Sequence, residues 1–131
     1  MTATLYETDF AAWTAEQAEL LQAGRLDALD IAGLIEEIED MGKSERSGLE
    51  SHLSVVLMHL LKWQFQPDRR TASWRHSILN GRFQALKRLK RSPSLRPKVP
   101  EIITDEYDMA RENAAFETGL PLTYFPDTCP F

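Results

Sequence analysis

Apolar and polar positions recur with a helical period along almost the whole chain. "DFAAWTAEQAELLQAG" opens on Asp9, a good N-cap, and stops at Gly24, a good C-terminal breaker. Phe10, Trp13, Gln17, Leu20 and Leu21 fall on one side, which predicts a first helix. Beyond Asp30, a second cap, the positions 31, 35, 38, 42, 45, 49, 52, 56, 59 and 63 alternate steps of four and three. They hold Ile31, Ile35, Ile38, Gly42, Glu45, Leu49, His52, Val56, His59 and Trp63, and Pro67 closes the element. The phase survives Gly42. The pattern therefore predicts one long helix, or two nearly collinear ones hinged where glycine costs about 1 kcal/mol against alanine. This seam is expected to face inward for its full length and to bury both imidazoles on different turns.

A third helix is predicted from Thr71 or Ser73 to about Lys90, with Trp74, Ile78, Phe83, Leu86 and Leu89 as its buried side. "RSPSLRPKVP" interrupts, and a fourth helix starts near Pro100, since proline suits a first turn. Ile102, Ile103, Tyr107, Ala110 and Ala114 form its inner face and Gly119 ends it. "LPLTYFPDTCPF" carries three prolines and is expected to be non-helical, laying Leu120, Leu122, Tyr124, Phe125 and Phe131 across a groove. No stretch alternates as a strand does. The expected fold is all-α: a single domain over residues 1–131, a compact bundle of four to five helices with one long central helix and a proline-rich tail.

Charge divides the chain. Residues 1–61 carry twelve acids and three bases, residues 62–98 eleven bases and one acid, and residues 99–131 seven acids and one base. The segments can neutralise one another on packing, or the basic middle can meet an outside partner. No apolar run reaches the ~18 residues that cross a membrane, and "MTATLYETDF" lacks the form of a signal peptide. The lone cysteine, Cys129, excludes an intrachain disulfide, and a reducing, cytoplasmic setting fits.

Candidate chemistry is thin. His52 and His59 stand seven residues apart, about 10.5 Å along one helix, too far to share an ion held at about 2 Å by each ligand. Glu45 stands a further seven residues back. Neither H-E-x-x-H nor Glu-x-x-His spacing occurs. A site between helices, with His52 meeting His76 or an acid from another helix, stays open as a weaker alternative. No nucleophile elbow, phosphate loop or paired-cysteine motif is present, so no catalytic residue and no cofactor is assigned.

Several longer stretches carry a resemblance. "LIEEIEDMGKSE", "HLLKWQFQP", "SW", "SPSLRP" and "ETGLPLTYFP", preceded by "YETDFAAWTAEQAELLQAGRLDALD", follow one another in the order and spacing of the bacterial domain-of-unknown-function family twenty-nine. Together they cover nearly the whole chain. The resemblance implies a helical bundle and transfers no activity, substrate or site residue.

The expected function is a non-catalytic protein-interaction module that meets an unknown protein partner or a second copy. Its surface would be a basic lobe around Arg69, Arg70, Lys87, Arg88 and Arg91. Nucleic acid bound by the same lobe is the main rival. A small metal-dependent enzyme using Glu45, His52 and His59 is the third reading.

Overall fold

A computed structural model describes residues 4–131, and among them every regular element is helical. Five α-helices follow in order: α1 (Leu5–Thr8), α2 (Phe10–Gln22), α3 (Ile31–Phe65), α4 (Ala72–Arg91) and α5 (Val99–Thr118). Short 3-10 turns occupy Leu26–Ala28, Pro67–Arg69, Pro93–Lys98 and Leu122–Tyr124. The predicted all-α class stands, with α3 the long helix; it stays helical through Gly42. The backbone divides into two units, Met1–Gly42 and Lys43–Phe131. No described helix is long and apolar enough to cross a membrane.

The first unit is a helical hairpin organised around Asp30. Asp9 caps α2 by accepting from the Ala12 amide at 3.0 Å, and Gly24 leaves the helix at φ 71°, a left-handed conformation that suits glycine. Asp30 then caps α3: its Oδ1 accepts from the Gly33 amide at 3.0 Å, and its Oδ2 accepts from the Trp13 indole at 3.0 Å. The Asp30 amide donates to the buried Gln17 side chain at 2.8 Å, which satisfies a polar group that would otherwise be costly to bury. A Cβ on Gly33 would run into Asp30 and Trp13, so the close approach of α2 to α3 depends on that glycine. Tyr6 packs at a tilt against Phe10 and Trp13 and donates its phenol to Glu37; that hydrogen bond first, then burial, holds the phenol well above its ordinary pKa.

The predicted inward seam fails here. Ile31, Ile35 and Ile38 are 55%, 52% and 61% exposed. Within this unit α3 turns its Gly33 side to α2, because the Asp30 cap and the Trp13 ring lock that side in place. The isoleucines, a third of a turn or more away, are left facing out.

In the second unit the seam is buried at Leu49 and Val56 and only half-covered at Glu45, His52, His59 and Trp63, so neither imidazole is buried as expected. Leu49 of α3, Ala85 and Leu89 of α4 and Ile102 of α5 form one core cluster, with Leu53, Leu95 and Val99 against it. Leu61, Tyr107, Ala114 and Phe125 form another, with Met58, Phe65, Leu120 and Cys129 alongside. The C-terminal tail lies on helices through Leu120 and Phe125, whereas Leu122, Tyr124 and Phe131, expected in the same groove, are exposed, and Leu122–Tyr124 forms one 3-10 turn. Phe125 is buried with Phe65 edge-on at 5.9 Å; Tyr107 donates to the Pro126 carbonyl at 2.5 Å, and Arg111 donates to the Phe125 carbonyl and to Asp127.

Helix α4 approaches α3 through small residues. Gly81 and Ala85 are buried, and a Cβ on Gly81 would fall 2.5 Å from Val56 Cγ2. This phase corrects the predicted α4 face: Trp74 and Ile78 are half-buried and Leu89 is buried, but Phe83 and Leu86 point outward. Opposite outcomes are expected at two glycines. Gly42→Ala, in an exposed turn with nothing within 4 Å of the new Cβ, should raise stability by about 0.5–1 kcal/mol. Gly81→Ala should lower it by about 1–3 kcal/mol, since Val56 has almost no other rotamer in a helix. Urea unfolding curves of the two variants check both signs.

Candidate interaction surface on α4

Thr71 starts α4 by accepting from the Trp74 amide at 3.1 Å, and Arg88, Lys90 and Arg91 sit in its last turn, where cations suit the helix dipole. The helix carries six bases and no acid. Its twenty residues span about 28 Å. The expected basic lobe is accordingly drawn out along the helix: Arg69 and Arg70 precede its first turn, and Lys87, Arg88 and Arg91 stand at its far end.

The five bases do different work. Arg70 donates to the Trp63 carbonyl at 2.8 Å and stacks 4.8 Å from the centre of the Trp63 ring, tying the Pro67–Arg69 turn to the end of α3. Arg88 turns inward, 3.6 Å from Glu45 Oε2, and its guanidinium covers Gly48, where a side chain would collide with it. Arg69, Lys87 and Arg91 remain exposed. Glu45, Gln84, Lys87, Arg88 and Arg91 line a polar cleft of about 260 Å³, in which Glu45 Oε1 is buried without a hydrogen-bond partner. Lys62, also in the basic segment, is withdrawn from solvent: it pairs with Glu117 at 2.7 Å and lies 4.8 Å over the Trp74 ring.

The outer face of α4 is not purely basic. Leu79, Phe83 and Leu86 are 54%, 62% and 52% exposed and follow one another at i, i+4 and i+7. Arg75, His76, Arg82, Lys87 and Lys90 are exposed around them. Beside Leu79 an apolar hollow of about 280 Å³ opens between Leu60, Trp63, Arg75 and Ile78. The hydropathy pattern of α4 predicts Phe83 and Leu86 in the core. The signal that corrects it is the run Gly81, Ala85, Leu89, whose small members mark the side that packs closest.

The residues weighed as metal ligands occupy separate turns of α3. Glu45 serves Arg88. His59 Nδ1 lies 2.9 Å from the Val55 carbonyl one turn back, and His52 is half-buried. His76 is exposed on the outer face of α4. No three His, Cys, Asp or Glu side chains gather in a metal-holding group among the described residues.

Burial first, and then the Arg88 cation, holds the His52 pKa below its ordinary value. The folded state thus favours the neutral ring. Its contribution to stability is complete above the unfolded pKa of about 6.5 and is lost as pH falls through the lower folded value. Between about pH 7 and 5.5 the native chain should lose more unfolding free energy than His52→Gln does; paired urea titrations across that window measure the difference.

No curated protein and no solved structure matches this chain. One family model does, the one described as "Domain of unknown function DUF29", over residues 5–131. It covers nearly the whole length and is the family that the sequence resembles. The chain belongs to the DUF29 family.

Proposed function

We propose that this chain is a non-catalytic protein-interaction module and that its docking surface is the outward face of α4. The observation that carries this reading is the exposed stripe Leu79, Phe83 and Leu86 set among Arg75, Arg82, Lys87 and Lys90. Three large apolar side chains on one line cost free energy in water, roughly 25 cal/mol for each Å² left uncovered. An amphipathic face of this kind fits a partner with an apolar groove and acidic edges.

Phosphate needs the cations but has no use for Leu79 and Leu86. Two of the three tryptophans that could stack on bases are committed elsewhere: Trp63 carries Arg70 and Trp74 carries Lys62. Arg70 and Arg88, bound to their own chain, are scaffold in this reading, while Lys87 and Arg91 are available to a partner.

The probe is a synthetic helix of about 18 residues with a leucine face flanked by glutamates. It is expected to bind in the micromolar range, and Phe83→Glu or Lys87→Glu should each weaken it at least about tenfold. Anisotropy titrations against this peptide and against a single-stranded oligonucleotide decide the matter. Tighter, salt-steep binding of the oligonucleotide, or peptide binding indifferent to Phe83→Glu, overturns the reading.

A further inference from the structure

The N-terminal hairpin holds a second unpartnered apolar surface. Between α2 and the first turns of α3 runs a groove of about 460 Å³, lined by Phe10, Trp13, Leu21, Leu34, Ile38 and Met41. Phe10, Leu21, Ile38 and Met41 are about half exposed or more. From Leu34 to Met41 the groove is seven residues long, the same span as Leu79 to Leu86 on α4, about 10.5 Å. A groove between two helices is the natural seat for a third.

Charge selects the occupant. Residues 4–42 contain ten acids and a single arginine, a net charge of −9, whereas α4 carries six bases and no acid. Two hairpins brought together would set −9 against −9, and two α4 faces would set +5 against +5, Arg88 being turned to Glu45. The cross pairing joins opposite charges and apolar stripes of matching length.

We infer that the hairpin groove of one copy receives the outer face of α4 from a second copy of this chain. The inference rests on the reading of α4 as a docking face and names its partner. Each copy offers one groove and one α4 face, so the contact is heterologous. It closes into a two-fold pair when the exchange is reciprocal and extends into a chain of copies when it is not. Leu79, Phe83 and Leu86 are the inserted side chains, and Lys87 and Lys90 meet the acidic hairpin.

Sedimentation equilibrium of the full chain, up to about 100 μM, tests this with two variants at exposed positions, Ile38→Glu in the groove and Phe83→Glu on α4. The native chain is expected to self-associate, less so at about 0.5 M salt. Each variant alone should remain monomeric, with association weakened at least about tenfold. An equimolar mixture of the two should pair again, because one intact groove and one intact α4 face remain. Far-ultraviolet circular dichroism establishes that each variant is folded.

A native chain that stays monomeric overturns the inference. So does a Phe83→Glu chain that associates like the native one, which would mean groove-to-groove pairing, or an Ile38→Glu chain that does, which would mean pairing through α4 alone. Folded variants that fail to pair on mixing also overturn it. A monomeric native chain that still binds the acidic peptide leaves the α4 reading standing and removes only the self-pairing; loss of both removes both.

Discussion

The close approach of α4 to α3 at Gly81 is the constraint on which the rest of the second unit turns. Val56 occupies the space that a side chain at Gly81 would take, and Gly48 gives the same latitude to the Arg88 guanidinium. Once these glycines and Ala85 set the rotation of α4, every other residue on that helix follows. Leu89 enters the cluster with Leu49 and Ile102. Arg88 swings under to Glu45, and Leu79, Phe83 and Leu86 have nowhere to go but out. The candidate docking face is thus a consequence of tight packing on the opposite side of the same helix.

The hairpin obeys a different constraint. A single carboxylate, Asp30, caps α3, binds the Trp13 indole and stands beside Gly33, while its amide holds Gln17. That node aligns α2 with α3 but covers little apolar surface. Two helices cannot bury a stripe as wide as the one α3 presents, and chains of about 40 residues seldom close a core unaided. Exposed Ile31, Ile35, Ile38 and Met41 are the remainder.

Electrostatics then acts on two scales. Short-range pairs such as Lys62 with Glu117 and Arg111 with Asp127 fasten one element to another within the second unit. Arg88 with Glu45 takes one base from α4; the five exposed bases that remain there, against an acidic N-terminal region, give the two apolar surfaces opposite character. In the proposed contact the apolar stripes would supply affinity, and the sign of the charge beside them the choice of partner.

Local signals determined much of this protein by themselves. Asp9, Thr71, Gly24 and Gly119 cap or end helices within a residue or two of where their chemistry places them, because caps act through neighbouring backbone groups. The tail's apolar content likewise announced that Phe125 would be buried. Membership of the family was legible too. Which face of a helix turns inward was decided only by tertiary structure. Helix α4 carries two stripes at helical spacing, one through Ile78 and Leu89 and one through Leu79, Phe83 and Leu86, and hydropathy alone favours the bulkier members. Backbone clearance at Gly81 chose the other stripe, and the Asp30 node chose the Gly33 side of α3 over its isoleucines. Periodicity records that a face exists; only the residues packed against it determine whether that face is covered.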